Sequence, residues 1–220
     1  MHSTGRAAQA EPLFRLAADR RDPALARRAR HHLGLTLSAL GRNDEALREA
    51  EAAVALYPPG SDSRMLAVSL VSLGAIYNDL GRSGEALVVL ERALAMAERT
   101  EADWSIVSGA WLSLGEAQAG AGRMADAEIS LGRAKALADA HLSPGHPRRV
   151  YRNARLGQLL IDQSRPGEAL ALLRSDTLAV IARMGGDQTS GFDAYGSNRA
   201  LFSRIVQAGW EQATTRGLAR

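Results

Sequence analysis

The side chains best suited to catalysis or metal binding are few in this sequence, and their spacing does not bring them together. Cysteine is absent, which excludes disulfides, thiolate metal sites and cysteine nucleophiles. His31 and His32 are neighbours, and neighbouring side chains on a helix point in different directions. His141 and His146 flank a short linker, and His2 stands near the N-terminus. Because none of these histidines fits a motif such as HExxH, we expect no metal site and no bound cofactor.

One glycine-rich stretch, GGDQTSG at residues 185–191, superficially resembles a phosphate-binding loop. It lacks the lysine of such a loop and the apolar strand that should precede it. No GxSxG nucleophile elbow and no Rossmann glycine pattern occurs in the sequence. We therefore predict no catalytic residue and a protein that is not an enzyme, with catalysis as a remote alternative.

The composition favours a helical protein. Hydrophobic residues make up 46% of the 220 positions and aromatic residues only 5%, and alanine and leucine, both strong helix formers, dominate the apolar set. No apolar run approaches the roughly 18 residues that a membrane span requires. The N-terminus also lacks the apolar core of a signal peptide. We therefore expect a soluble, cytoplasmic protein that does not associate with a membrane.

The formal net charge of +3 is small and gives no reason to expect nucleic acid as a partner. Lys135 is the only lysine, and we attribute this bias towards arginine to the base composition of the genome. One local excess of positive charge lies early in the chain, at Arg15, Arg20, Arg21, Arg27, Arg28 and Arg30. It is either a solvated helix face or a surface for an anionic partner.

An eight-residue phrase recurs four times along the chain. It reads LGRNDEAL at 40–47, LGRSGEAL at 80–87, AGRMADAE at 121–128 and QSRPGEAL at 163–170. A glycine stands seven residues before its second position in every copy, at Gly34, Gly74, Gly115 and Gly157. A second alanine follows at Ala53, Ala93 and Ala134, where the fourth copy instead has Asp176 and is degenerate. Self-similarity at a period of about 40 residues is typical of a helical repeat array.

Each repeat has the pattern of two amphipathic helices joined by a tight turn. In the second repeat, Gly81 should end the first helix in the left-handed conformation, and Ser83 should cap the next helix. Gly74 on the first helix should face Ala86 and Ala93 on the second, so that the two backbones approach closely. These expectations predict an all-α protein built from antiparallel helix pairs.

The pattern resembles the tetratricopeptide repeat. The third unit contains WLSLG, with Trp111, Leu114 and Gly115 in the positions of that family, and the second unit has Tyr77 in the tyrosine position. The spacing resembles the longer repeats of kinesin light chains and bacterial regulatory proteins. The resemblance implies a right-handed α-solenoid, a TPR-like superhelix of helix pairs, with a C-terminal capping helix.

The predicted domain organisation has three parts. Residues 1–21 form an N-terminal half repeat or cap in which Gly5 takes the turn, and either this half repeat caps the array or the chain is a piece of a longer protein. Residues 22–183 form four helix pairs, at about 22–60, 61–100, 101–141 and 146–183. Residues 184–220 form a glycine-rich loop and an amphipathic helix with apolar residues at Leu201, Phe202, Ile205, Val206 and Trp210.

The family resemblance implies a peptide-binding groove lined by the first helix of each pair. Its candidate residues are Arg28, His31, Leu35, Ser38, Val71, Asn78, Asp79, Leu112, Glu116, Tyr151, Arg155, Gln158 and Asp162. Because these positions contain no lysine, the resemblance does not extend to the subclass that clamps a terminal carboxylate. The mixture of polar and apolar side chains suits an extended peptide or a helix.

Two functions therefore remain open. The first is a non-catalytic scaffold or adaptor that binds a protein or peptide segment in its groove. The second is a sensor or regulatory segment of a larger bacterial regulator or signalling protein. Self-association into a homo-oligomer through the terminal helices is a further possibility, since a helical array exposes apolar surface at its ends.

Overall fold

The computed structural model describes residues 2–186 and 206–207, and in these residues it contains helices and no strands. The helices are α1 (His2–Ala18), α2 (Pro23–Ala39), α3 (Asn43–Ala55), α4 (Arg64–Asp79), α5 (Ser83–Arg99), α6 (Trp104–Gly120), α7 (Met124–His141), α8 (Pro147–Asp162) and α9 (Pro166–Gly186). The predicted all-α class is confirmed for this part of the chain. None of these helices combines the length and the hydropathy that crossing a bilayer would need.

The chain divides into two compact units, Met1–Arg123 and Met124–Arg220. In the first unit each helix packs against the next, so that α2 with α3 and α4 with α5 form antiparallel pairs. In the second unit α8 packs against both α7 and α9. The predicted glycine-rich loop and C-terminal helix lie mostly outside the described residues, except that Met184, Gly185 and Gly186 are helical and extend α9 beyond its predicted end.

The repeated phrase encodes the turn within each helix pair. Its second residue has a positive φ in all four copies, between 60° and 75°, and glycine occupies this position in three of them. The backbone then folds back on the helix end: the Arg82 amide donates to the Tyr77 carbonyl at 2.8 Å. In the fourth copy Ser164 adopts the same conformation with φ 60°, and the Arg165 amide donates to Leu160 at 2.8 Å. The predicted left-handed turn is confirmed.

An ion pair between the arginine and the glutamate of the phrase stabilises the start of the following helix. Three copies contain this pair: the arginine Nε donates to the glutamate Oε1 at 2.6 Å in Arg42–Glu45, 2.9 Å in Arg82–Glu85 and 2.7 Å in Arg165–Glu168. The glutamate also lies in the first helical turn, where a negative charge is favoured. The prediction that Ser83 caps α5 is wrong, because Arg82 is the N-cap residue and Ser83 is already helical.

The start of α2 agrees with the capping aspartate and the proline that mark it in the sequence. The Asp22 carboxylate accepts from the Ala24 amide at 2.9 Å, and Pro23 occupies the first helical position. In α1, by contrast, the predicted turn at Gly5 is wrong, since α1 runs without a break from His2 to Ala18. The half repeat is therefore one continuous helix packed against α2.

Small residues set how closely the paired helices approach. At Gly74 an added Cβ would lie only 2.4 Å from Leu90 Cγ, and its three nearest atoms all belong to this buried leucine, which the sequence pattern did not predict as a neighbour. In the first pair the equivalent large residue is replaced by Ala50, and a Cβ at Gly34 would meet the Ala46 carbonyl oxygen at 3.3 Å. In the first pair the two nearest atoms to Gly34 belong to the backbone of the facing helix, whereas in the second pair a leucine side chain fills the equivalent space.

The first unit has an inner layer of helices. The first helices of successive pairs are in direct contact, α2 with α4 and α4 with α6. No comparable contact joins α3 to α5 among the helices described here, and α1 reaches the start of α3 through the ion pairs of Arg15 with Glu45 and of Glu11 with Arg42. We refer to this continuous layer of α2, α4 and α6 as the inner layer.

In the second unit, a buried polar network holds α9 against α8 and the preceding linker. Asp176 is fully buried, and its carboxylate accepts from the Gly145 amide at 2.8 Å and from Asn153 Nδ2 at 2.7 Å. Arg149 lies 3.2 Å from Asp176 and 3.0 Å from Asp139 of α7. The residue that made the fourth repeat look degenerate therefore links three helices and a loop.

Candidate functional site

The groove residues predicted on α2, α4 and α6 all lie on the inner layer of the first unit, where the helices touch one another. The exposed members are Arg28, Leu35 and Asp79, the half-buried members are Ser38, Val71, Asn78 and Glu116, and the buried members are His31 and Leu112. The structure thus separates the predicted set into residues that face solvent and residues that support them.

The floor of this surface is apolar and uncharged. His31, Val71 and Leu112 occupy equivalent positions on three successive inner helices, and the exposed fractions of His31 and Leu112 are 7% and 8%. Gly109 leaves space beside them, because a Cβ built there would meet only Val71 Cγ1, at 3.9 Å. Leu35 projects from the same helix face as His31 with 42% of its surface exposed. Such a floor can accept an apolar side chain of a ligand.

Polar groups border the floor towards the ends of α2 and α4. Ser38 Oγ donates to Asp79 Oδ2 at 3.3 Å, and Asn78 Nδ2 donates to the carbonyl oxygen of Ser113 at 2.8 Å. The Oδ1 atom of Asn78 is shielded from solvent and has no hydrogen-bond partner in the protein. This oxygen is therefore a buried acceptor whose missing hydrogen bond costs free energy.

His31 is held neutral within this surface. Burial is the largest cause that lowers its pKa, to about 4, and the neighbouring His32 lowers it further. The two rings meet edge to face with 5.1 Å between centroids, and the His32 ring stacks on Phe14 of α1 at 5.4 Å. A neutral His31 keeps the floor uncharged at physiological pH.

The shifted pKa of His31 predicts loss of stability in acid. The unfolded chain has the ordinary pKa near 6.5, so it binds more protons than the folded chain between pH 6.5 and 4. The stability that neutral His31 contributes is complete above pH 6.5 and is lost as the pH falls towards 4. We expect the free energy of unfolding to drop by about 2–3 kcal/mol through this group, measured by urea unfolding across that range.

The matched variant is His31→Leu, because leucine occupies the equivalent position at Leu112. Subtracting the pH dependence of this variant from that of the parent removes the contribution of the other titrating groups. Parallel pH profiles of the two proteins would show that His31 does not carry the effect.

The remaining predicted residues lie on α8 in the second unit. Tyr151 is exposed over 53% of its surface, Arg155 is half-buried, and Asp162 at the end of the helix is exposed. Gln158 Nε2 donates to Asp162 Oδ1 at 2.6 Å, so these two side chains bind each other. Along this face the helix therefore changes from basic at its start to polar and acidic at its end.

Besides Arg149 of the buried polar network, two arginines on α8 were not among the sequence candidates. Arg148 is exposed, and Arg152 is buried with its Nη1 donating to the Arg148 carbonyl oxygen at 3.0 Å. Their spacing from Arg155, at i, i+4 and i+7, places all three on one helix face. That spacing is readable in the sequence, but the family positions drew attention to Tyr151, Arg155, Gln158 and Asp162 instead.

No group of three or more histidine, cysteine, aspartate or glutamate side chains converges as a metal site within residues 2–186 and 206–207. The polar clusters of this region are ion pairs and hydrogen-bond networks in which arginine is the usual donor. The strongest of them joins α1 to the start of α3, where the Arg42 guanidinium donates to Glu11 and Glu45 and lowers the pKa of Glu45 to about 2.

Comparison with known families and structures supports this fold. Residues 25–99 match the model of the family described as tetratricopeptide repeat. A search of curated proteins found no significant match. Among solved structures, the kinesin light chain nearly identical TPR-like repeats of Podosopora anserina match with a TM-score of 0.64 and 21% identity, over 89% of this chain and 99% of that chain.

Two further structures show the same architecture. The Rap protein complexed with competence and sporulation factor matches with a TM-score of 0.67 and 12% identity, over 98% of this chain and 73% of that chain. Bacillus thuringiensis PlcR in complex with the peptide PapR7 and DNA matches with a TM-score of 0.61 and 11% identity, over 96% and 69%. The resemblance to the tetratricopeptide repeat is confirmed, and the chain has the fold of an α-solenoid of such repeats.

Proposed function

We propose that this chain, whose helices have the tetratricopeptide-repeat fold, is a non-catalytic scaffold that binds an extended segment of another protein along its inner helix layer. The observation that carries the proposal is the floor formed by His31, Val71 and Leu112 on three touching helices, with Leu35 exposed beside it. An apolar floor bordered by hydrogen-bonding groups suits a peptide whose side chains alternate between contact and solvent.

The polar border supplies the second element of recognition. Ser38 and Asp79 can exchange their mutual 3.3 Å contact for contacts to a ligand, because that contact lies at the exposed edge. One structural neighbour is in complex with the peptide PapR7 and another with competence and sporulation factor, which favours this use of the fold.

The test compares one inner and one outer apolar side chain of the same unit. Leu35→Glu places a charge beside the floor, whereas Val88→Glu places the same charge on α5, where the exposed fraction is 69%. Peptides are first selected from a displayed library on the immobilised full chain, and their Kd values are measured by fluorescence anisotropy. We expect Leu35→Glu to weaken binding by about tenfold or more and Val88→Glu by less than about twofold.

Two results would contradict the groove. One is a selection that yields no peptide of measurable affinity, and the other is equal weakening by both substitutions. Thermal melting of each variant checks that a loss of binding is not a loss of fold. A surface glutamate is expected to change stability by no more than about 0.5 kcal/mol.

A regulatory role is the second candidate, and the similarity to PlcR in complex with a peptide and DNA favours it. In that case the same groove would receive the peptide, and the signal would pass to another domain or protein. The cytoplasmic location, the bacterial origin and self-association through terminal helices stay predictions; exposed Leu13 and Leu16 on α1 support the last of these.

A further inference from the structure

Two opposite charges stand at the two ends of the inner face of α2. Arg28 shares this face with His31, Leu35 and Ser38, because residues spaced at i, i+3, i+7 and i+10 line one side of a helix. The Asp79 carboxylate of α4 joins the far end of the face, where its Oδ2 accepts from Ser38 Oγ at 3.3 Å. The surface is therefore positive towards the start of α2 and negative towards its end.

Neither of these charges is neutralised within the part of the chain that the structure describes. Arg28 and Asp79 are both exposed, and among residues 2–186 and 206–207 neither forms an ion pair. Arg30, two positions further along α2, is different, because it donates to Glu49 at 2.7 Å. Charge complementarity for Arg28 and Asp79 is therefore available to a ligand that approaches the inner layer.

The side chain of Leu35 stands between the two charges and exposes 42% of its surface. Along the axis of α2, Leu35 is about 10 Å from Arg28, and Ser38 is about 15 Å from Arg28, at a rise of about 1.5 Å per residue. Because Asp79 is hydrogen-bonded to Ser38, its carboxylate lies close to the second of these positions. The order along the face is therefore cation, apolar side chain and anion.

We propose that the inner layer binds a peptide segment of mixed charge, with an acidic side chain at Arg28, a basic side chain at Asp79 and an apolar side chain against Leu35 between them. The inference rests on the proposed function and names the chemistry of its ligand. An extended chain advances about 3.3–3.6 Å per residue, so 15 Å corresponds to about four or five residues. The apolar residue lies about three residues from the acidic one.

A free amino acid or a nucleic acid fits this pattern of charge less well. The ammonium and carboxylate groups of an amino acid are separated by a single carbon atom, so one molecule cannot reach both Arg28 and Asp79. A nucleic acid repeats its negative charge at short intervals along the whole backbone. Its phosphates would therefore meet the Asp79 carboxylate as well as the Arg28 guanidinium, whereas a peptide can place one charge of each sign.

The experiment selects peptides from a displayed library on the immobilised full chain and, in parallel, on its Arg28→Glu and Asp79→Lys variants. Peptides selected on the parent should carry an acidic and a basic residue about four or five positions apart, with an apolar residue between them. The Arg28→Glu chain should select basic residues where the parent selects acidic ones. The Asp79→Lys chain should select acidic residues where the parent selects basic ones.

Affinities then follow from anisotropy titrations with one fluorescein-labelled peptide selected on the parent. Replacing its acidic residue with lysine should weaken binding to the parent about tenfold at about 50 mM salt, and the difference should shrink as salt rises. Arg28→Glu should reverse this order of affinities. Arg48→Glu, which changes an exposed arginine on α3 of the same unit, is the matched control and should leave the preference unchanged within about twofold.

Thermal melting checks that each variant keeps its fold. If Arg28→Glu loses its melting transition, Arg28→Gln takes its place. This variant removes the charge without introducing the opposite one, so it should abolish the preference for the acidic peptide and not reverse it.

The proposal is overturned if the selected peptides lack the pair of opposite charges, if Arg28→Glu and Arg28→Gln leave the order of affinities unchanged, or if Arg48→Glu reverses that order. Failure here is distinct from failure of the groove. Selected peptides that lack this charge pattern and are weakened by Leu35→Glu would sustain the proposed function alone, whereas a library that yields no peptide would remove both.

Discussion

Replacing Asp176 with alanine is expected to destabilise the second unit by about 3 kcal/mol or more, although three repeats carry alanine at this position. The substitution leaves the Gly145 amide and Asn153 Nδ2 without their acceptor, and Arg149 keeps only Asp139 as a counter-charge. Removing one partner of a buried charge pair costs more than the pair contributes, because the other charge stays out of water.

Urea unfolding and hydrogen exchange together measure this effect. The Gly145 amide should exchange faster in Asp176→Ala, since its hydrogen bond to the carboxylate is lost. Asp176→Asn keeps an acceptor but removes the charge, so its stability should lie between those of the parent and the alanine variant. Ser175→Ala, on the exposed side of α9, is the control and should change stability by less than about 0.5 kcal/mol.

The other three repeats carry alanine at this position, and a consensus argument from them predicts that Asp176→Ala stabilises the protein. If alanine at position 176 behaved as it does at Ala53 and Ala93, the variant would unfold at a higher urea concentration than the parent. A gain of that kind would mean that the buried network contributes nothing to stability.

Gly74→Ala should be the most disruptive single-methyl change in the first unit. The new Cβ would lie 2.4 Å from Cγ and 2.6 Å from Cδ2 of Leu90, which is fully buried and cannot move aside without displacing its neighbours. Overpacking of this kind costs about 1–3 kcal/mol or more. We expect the variant to unfold at a clearly lower urea concentration, with the helix pair α4–α5 opening first by hydrogen exchange.

A double-mutant cycle identifies the cause. Leu90→Ala alone should cost about 2–5 kcal/mol because it leaves a cavity. Combined with Gly74→Ala, it should cost less than the sum of the two single changes, since the new methyl group then occupies part of that cavity. If the losses of the two single variants simply add in the double variant, the strain in Gly74→Ala does not come from contact with Leu90.

Gly84→Ala is the matched control for this series. Gly84 is also helical, but an added Cβ there meets nothing within 4 Å. Alanine is the better helix former, so this change should raise stability by about 0.5–1 kcal/mol. The same substitution is thus expected to have opposite signs at two glycines of one helix pair, separated by ten residues in sequence.

The features that the sequence predicted correctly are local and repeated. A left-handed residue such as Gly81, or a cap followed by proline at Asp22, depends on a few consecutive residues whose chemistry allows few alternatives. Four copies in register then identified the helix pairs, because each copy repeats the same spacing of small and large residues.

The features that it missed depend on partners distant in sequence. Asp176 contacts the linker and α8 from 23 to 31 residues away, and no local pattern shows that a buried carboxylate will find donors there. Leu90 was missed as the nearest neighbour of Gly74 because its position in the helix interface follows from three-dimensional packing. For the candidate site, the positions were assigned by family resemblance, and their exposure, from buried His31 to exposed Leu35, required the coordinates.

The contact of α2 with α4 and of α4 with α6, without equivalent contact of α3 with α5, has a mechanical consequence. We expect the line of touching helices to act as a pivot, so that a small rotation about it displaces the far side of the unit most. A ligand that bridges α2 and α6 would fix the pivot and stiffen the array against bending. Binding of a ligand at the floor would then narrow the distribution of distances between dyes attached to α1 and α5.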